Sequence, residues 1–286
     1  MSKTLVKTVK RRLKNWLKER RRRFIKRFFH FDKAQLSALI SRLDIQPGDV
    51  LLVHVGYDKF EGFEGGPGDV IEILQNAIGA SGTLIMPTIP FRGSAIDYAR
   101  TGQMTDLVWS PSAVGLVTEV FRRMPDVLRS VHPTHPVAAW GAHASELIRN
   151  HHLATTPCGK NTPFLGILEF NGKILFLGTG IGPMTFFHGV EEILEPQMPY
   201  SPFTAASFEL QTRDAEGKIW TTTTRLFEPS VSRRRDLESL VPILKQNHHW
   251  RQGRSGRLSA IVVSAREVLK TCQQMAAGGR FCYRPN

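Results

Sequence analysis

Apolar runs and helical stripes alternate along most of this chain, and the alternation predicts a layered fold. VLLVHV at 50–55, TLIMPT at 83–88 and ILFLG at 174–178 are apolar, short and bounded by Gly or Pro, so they read as buried strands. Helical stripes fall between them. Asp32 caps KAQLSALISRLDI, with Leu36, Leu39, Ile40 and Leu43 on one face and Pro47-Gly48 as the stop. DVIEILQNAIG follows the first strand, and Ser110 to Met124 is predicted helical, capped at Ser110 or Ser112 with Pro111 near the first turn. Strand, helix, strand, helix is the order of an α/β sheet. SFELQTRDAEGKIWTTTTRLF alternates on both sides of a DAEG turn and predicts a hairpin, so a mixed sheet is expected. LSAIVVSAREVLKTCQQMAAG fits either a strand and a helix or one long helix.

The N-terminus follows a different pattern. Residues 1–31 hold thirteen Lys or Arg against one acid, Glu19, a net of +12 that leaves only +1 of the chain's +13 for the other 255 residues. Leu5, Val9, Leu13, Trp16, Leu17, Phe24 and Phe28 recur there at helical intervals. The reading is a basic amphipathic helix, residues 1–31, appended to an electrically ordinary body, residues 32–286. Such a helix suits the surface of an anionic membrane. Nucleic acid is the weaker reading, because the body has no basic excess, and a solvated basic tail is the plain alternative.

A hydrophobic content of 41% over 286 residues gives ample core for a globular body. Cys158, Cys272 and Cys282 are odd in number, widely spaced and lack a CxxC pair, so neither a disulfide framework nor a zinc knuckle is suggested. No run reaches the length of a membrane span and no apolar signal core follows the basic start, so the expected location is cytoplasmic, with peripheral contact at the inner face of the membrane through the tail.

Candidate chemistry concentrates after the third strand. ILFLGTG turns through IGPMTF into FHGVEE, so His188 and Glu191 fall three apart on the first turn of a helix and share a face. A carboxylate on one imidazole nitrogen fixes the tautomer and is expected to raise proton affinity, the arrangement of a general base; the bland reading is a surface hydrogen bond. The Gly65-Gly66-Pro67-Gly68 loop before a helix suits either a phosphate or a plain tight turn. In RSVHPTHP, His132 and His135 flank a proline, which reads as a structured turn with histidines bonded to backbone rather than a metal site. The polar stretch from Ile89 to Trp109 is a long loop of the kind that carries function.

DVLLVH, GGPGDVIEIL, GTLIMPT, WSPSAVGLVTEVFRR, LRSVHPTHPVAAWG, CGKNTPF, GKILFLGTG and HGVEE succeed one another in an order that resembles the aminoglycoside 3-N-acetyltransferase (antibiotic N-acetyltransferase) family. The likeness runs over roughly residues 33–280. It implies an α/β fold distinct from GNAT, with a mixed central sheet flanked by helices, and an enzyme that uses acetyl-CoA to acetylate an amine, as in antibiotic resistance. His188 and Glu191 match the family's His-x-x-Glu, to which the resemblance assigns activation of the acceptor amine. Thr162 and Phe164 fall on its Ser-Pro-Phe block near the coenzyme, Ser112 on its Thr-Pro-Ser turn, and Asp106 and His135 on positions bordering the acceptor. Where the family has His-Ser-Ser, this chain has His54-Val55-Gly56. Two hydroxyls are missing, leaving the amides of Val55, Gly56 and Tyr57 as the expected coenzyme contacts. Pro136 likewise replaces a serine.

The expected reaction is direct acyl transfer, with His188 taking the proton of an amino sugar's amine and Glu191 stabilising the imidazolium. A covalent route through Cys158 is disfavoured because no base partner is evident near it. Asp97 and Asp106 are set against Arg92 and Arg100 in the 89–109 loop, a poor trap for a polycation. An amino sugar carried on a nucleotide or lipid is therefore favoured over an aminoglycoside. The alternative is a non-catalytic protein that docks through its tail and keeps a degenerate transferase scaffold.

Overall fold

The computed structural model describes residues 3–284. Its strands, in chain order, are β1 (Val50–Val55), β2 (Thr83–Pro87), β3 (Thr105–Asp106), β4 (Leu128–Arg129) and β5 (Val137–Gly141), followed by β6 (Lys173–Leu177), β7 (Phe203–Arg213), β8 (Ile219–Phe227), β9 (Trp250–Ser255) and β10 (Leu258–Ser264). Seven form the central sheet in the order β4-β5-β2-β1-β6-β10-β9. The three apolar runs of the sequence are its parallel centre, β2-β1-β6, buried on both faces. Antiparallel β5 and β10 extend it on either side.

Mixed character thus comes from β5 and β10, and not from the predicted hairpin. That hairpin forms as β7 and β8, but with β3 it makes a separate three-stranded sheet. The ambiguous last segment divides at Ser264 into β10 and the helix Ala265–Ala277.

Strand alternation sorts the core into two layers. Val50, Leu52, Ile174 and Phe176 face the helices Phe186–Leu194 and Ala265–Ala277. Leu51, Val53, Leu175 and Leu177 face Lys33–Arg42 and Pro67–Ile78 on the other side. The expected helix over Ser110–Met124 shrinks to Leu116–Phe121. Arg129 holds the preceding turn open as loop, donating from Nη1 to the carbonyls of Leu107 and Ser110, each at 2.8 Å.

β1 lies between β2, which follows it in the chain, and β6, so the carboxyl ends of β1 and β6 flank a switch in strand order where α/β sheets open a crevice. Gly56 and Gly178, just beyond the two strands, press backbone to backbone there. A Cβ on either would sit 2.6 Å from the other's carbonyl oxygen, and Gly178 also has φ +68°. The glycine in place of the family's serine is therefore required by this chain's own strand spacing.

The N-terminal helix runs from Lys3 to Phe28. The expected boundary at residue 31 crosses the core, because Phe31 is fully buried and bridges to Phe63, and Ile25 is also buried.

Candidate active site

His188 is the third residue of the Phe186–Leu194 helix, whose apolar residues Phe186, Phe187, Val190 and Leu194 pack into the core. With that face fixed, His188 is directed toward the strand ends. Its Nδ1 donates to Glu191 Oε2 at 2.8 Å, the contact the i, i+3 spacing predicts. Nε2 is thereby left as the basic nitrogen, on a ring that lines a cleft of about 420 Å³.

Glu191 is 1% exposed and does far more than face one histidine. Arg235 donates to it twice, Nε to Oε1 at 2.6 Å and Nη2 to Oε2 at 3.0 Å, and the Tyr283 hydroxyl donates to Oε1. Tyr283 comes from the C-terminal segment, and Arg235 from the turn between the Pro229–Ser232 and Leu237–Leu240 helices. Asp236 N–H donates to the Cys282 carbonyl at 2.8 Å and Arg284 N–H to the Arg234 carbonyl at 2.8 Å, so the C-terminal strap is pinned beside Arg235. Sequence reasoning missed both residues. Arg235 stands in an Arg233-Arg234-Arg235 run that reads as surface, and Tyr283 has no motif around it.

This network corrects one expectation. Burial and the nearby Arg235 charge outweigh the Glu191 carboxylate and hold the His188 imidazole below its ordinary value, so its proton affinity is lowered rather than raised. Burial pushes the Glu191 carboxyl up, but its hydrogen bond and charge pairing with His188, together with Arg235, bring it below the usual range. At neutral pH the pair is a neutral imidazole on an ionised carboxylate.

Around the cleft stand His54, Val55, Gly56, Pro87, Ile89 and Val114, with the threonines 118, 179 and 185, Pro183 and His135. His54 stacks on Phe176, its register partner in β6, at 5.3 Å. His54 Nε2 and Thr185 Oγ1 are buried without a hydrogen-bond partner among the described residues. His135 stands edge-on to Phe227 at 5.3 Å, and the His188 ring lies 4.4 Å from the same Phe227. The hairpin thus reaches the site through its last residue.

Of the residues singled out in the sequence, His188, Glu191, His54, Val55, Gly56 and His135 converge here, Glu191 from behind the histidine. The others do not line the cleft. Ser112 stands behind it, its hydroxyl 2.7 Å from that of Thr118. Tyr57, partly buried, packs against the core on the opposite face of the sheet. Phe164 is fully buried, and Thr162 caps the Pro163–Gly166 helix at a separate surface groove. Asp106 spends its Oδ1 on the amides of Val108 and Trp109, both at 2.9 Å. The glycine loop is likewise taken, because Asp69 accepts the Gly66 N–H at 2.6 Å and fills the position an anion would need.

His132 and His135 sit in the structured turn that their spacing predicts. His132 Nδ1 accepts from the amides of Thr134 at 3.2 Å and His135 at 3.0 Å. His54, His132, His135 and His151 are all buried, and burial depresses each below 6.5, to about 3 for His54 and His151. Above the unfolded value of ~6.5 these groups are neutral in both states and cost nothing. As pH falls below it, the unfolded chain binds protons the folded chain refuses. Each of these groups then costs about 1.4 kcal/mol per pH unit until its folded value is reached. A melting midpoint at pH 4.5 well below that at pH 7 is expected by scanning calorimetry, with part of the difference lost in His151→Gln.

A carboxylate-held imidazole at the carboxyl ends of two parallel strands defines a site suited to taking a proton from a bound nucleophile. The sequence profile described as aminoglycoside 3-N-acetyltransferase matches residues 52–277, and the chain belongs to that family. A curated relative, aminoglycoside N(3)-acetyltransferase IV from a Salmonella species, is 34% identical over 172 residues, which are 60% of this chain and 62% of the relative. A mutant of the aminoglycoside acetyltransferase AAC(3)-IVa, solved in complex with a gentamicin, superposes with a TM-score of 0.73 at 26% identity, covering 90% of this chain and 93% of that one. A binary complex of AAC-IIIb with CoASH has the same fold, with a TM-score of 0.73 at 19% identity over 90% of this chain and 100% of that one.

Proposed function

We propose that this chain is an acetyl-CoA-dependent N-acetyltransferase acting on the amine of an amino sugar, with His188 as general base. The observation that carries the reading is the Nδ1 bond of His188 to a buried Glu191, which leaves Nε2 on a cleft-lining ring. Acetyl-CoA, when bound, supplies the thioester acetyl group. The cleft suits such a donor. Thr179 and Thr185 bring hydroxyl side chains to its lining, and Pro87, Ile89, Val114 and Pro183 give an apolar wall.

His188 Nε2 removes the proton that keeps an amine from being nucleophilic, and the imidazolium formed is stabilised by Glu191. Glu191 stays ionised because Arg235 and Tyr283 hold it. The unpartnered hydroxyl of Thr185 is available for negative charge developing beside it. Cys158 is fully buried, and burial pushes its thiol up, which disfavours a covalent acetyl-cysteine route.

Among the described residues no Asp or Glu lines the cleft, and the groove beyond Ile89 and Val114 carries Arg92. This supports an acceptor that is neutral or anionic apart from its reactive amine, such as a nucleotide- or lipid-linked amino sugar, over a polycationic aminoglycoside. An acceptor panel read by free thiol release from acetyl-CoA tests the assignment. Efficient turnover of gentamicin-like amines with none of sugar nucleotides reverses the acceptor preference, and absence of calorimetric heat with acetyl-CoA favours a non-catalytic scaffold instead.

A further inference from the structure

From Leu13 to Phe28 the N-terminal helix carries an apolar face left exposed among the described residues. Contact with the body gathers near its end, where Ile25 is buried, Arg21 Nη2 donates to Glu61 at 2.8 Å, and the chain continues into the buried Phe31. At about 100° per residue, Leu13, Trp16, Leu17, Phe24 and Phe28 share an arc of roughly 120°, and Ile25 falls outside it. Those five side chains are between 47% and 60% exposed. Cations lie within the same surface, Arg20 over the Trp16 ring at 4.9 Å and Arg27 over Phe28 at 5.5 Å. No helix among the described residues is long and apolar enough to cross a membrane.

We infer that this arc docks in the interface of an anionic lipid bilayer, with the helix lying flat along the surface. Its 26 residues give about 39 Å of contact length. The aliphatic and aromatic side chains enter the acyl boundary while the flanking guanidinium and ammonium groups reach lipid phosphates. Charge selects this occupant over a second copy of the chain, because two tails of +12 repel. The arc selects it over a polynucleotide, since Leu13 and Leu17 gain nothing from phosphates or base edges but bury fully among acyl chains. The body, electrically ordinary, needs no part in the contact.

Flotation of the full-length protein with vesicles tests this without any acyl donor, so its failure leaves the transferase reading untouched. Binding to phosphatidylcholine vesicles containing about one-third phosphatidylglycerol should exceed binding to phosphatidylcholine alone by at least about tenfold and weaken with salt. The Trp16→Asn/Leu17→Asn variant keeps every charge and should lose about tenfold or more on the anionic vesicles. Leu13→Asn/Leu17→Asn gives a second, outward-facing variant should the first misfold. Absence of binding overturns the inference. So does binding unchanged in both variants, which marks a purely electrostatic tail, or preferential capture by a homopolymeric RNA added in competition.

Discussion

Turnover should fall by about two to four orders of magnitude when His188 is replaced by glutamine, with folding little affected. The imidazole lines the cleft with Nδ1 committed to Glu191, and glutamine can still donate to Glu191 but cannot take a proton. Because the His188 side chain is 18% exposed and Glu191 keeps Arg235 and Tyr283, the change leaves no buried charge stranded. Thiol release from acetyl-CoA with an accepted amine measures the effect, and the loss should appear in kcat more than in KM. The wild-type profile adds a second check. A base held below the ordinary histidine value stays deprotonated through neutrality, so the acid limb of kcat/KM should lie below pH ~6.5. Undiminished turnover in the glutamine variant would remove the base from the mechanism.

Arg235→Met should damage both stability and chemistry. It removes the paired charge of a carboxylate that is 1% exposed, and breaking a buried pair in this way costs about 3 to 5 kcal/mol. Denaturant midpoints should register the loss. The kinetic sign follows from the same charge. Arg235 depresses His188, so without it the imidazole holds its proton to higher pH and the acid limb moves upward. Arg235→Lys restores charge without the two-pronged geometry and should recover the pH profile more fully than the stability. A merely structural arginine would lower stability without moving the limb. Tyr283→Phe should be milder, since Arg235 and His188 still satisfy Glu191.

The parallel centre of the sheet was legible because three runs were too apolar and too short to be anything but buried strands. The pairing of His188 with Glu191 was legible because both lie within one helical turn, where spacing dictates proximity. The basic character of residues 1–31 was legible as a count of charges. Residues joined by local geometry are the ones a linear pattern can bring together.

Tertiary structure decided the rest. Ser110–Met124 carries a helical pattern, yet Arg129 from β4 claims the carbonyls of Leu107 and Ser110 at its start. Phe164 and Thr162, adjacent in one sequence block, part company in space, Phe164 in the core and Thr162 at a groove away from His188, since a motif match carries no direction in space. Arg235 and Tyr283, 44 and 92 residues beyond Glu191, reach it only because the C-terminal strap folds back beside residues 234–236. Proton affinity at His188 followed from that closure. A carboxylate three residues away argues for raising it, but burial and an arginine brought from far along the chain win, because charges act through distance in space rather than separation in sequence.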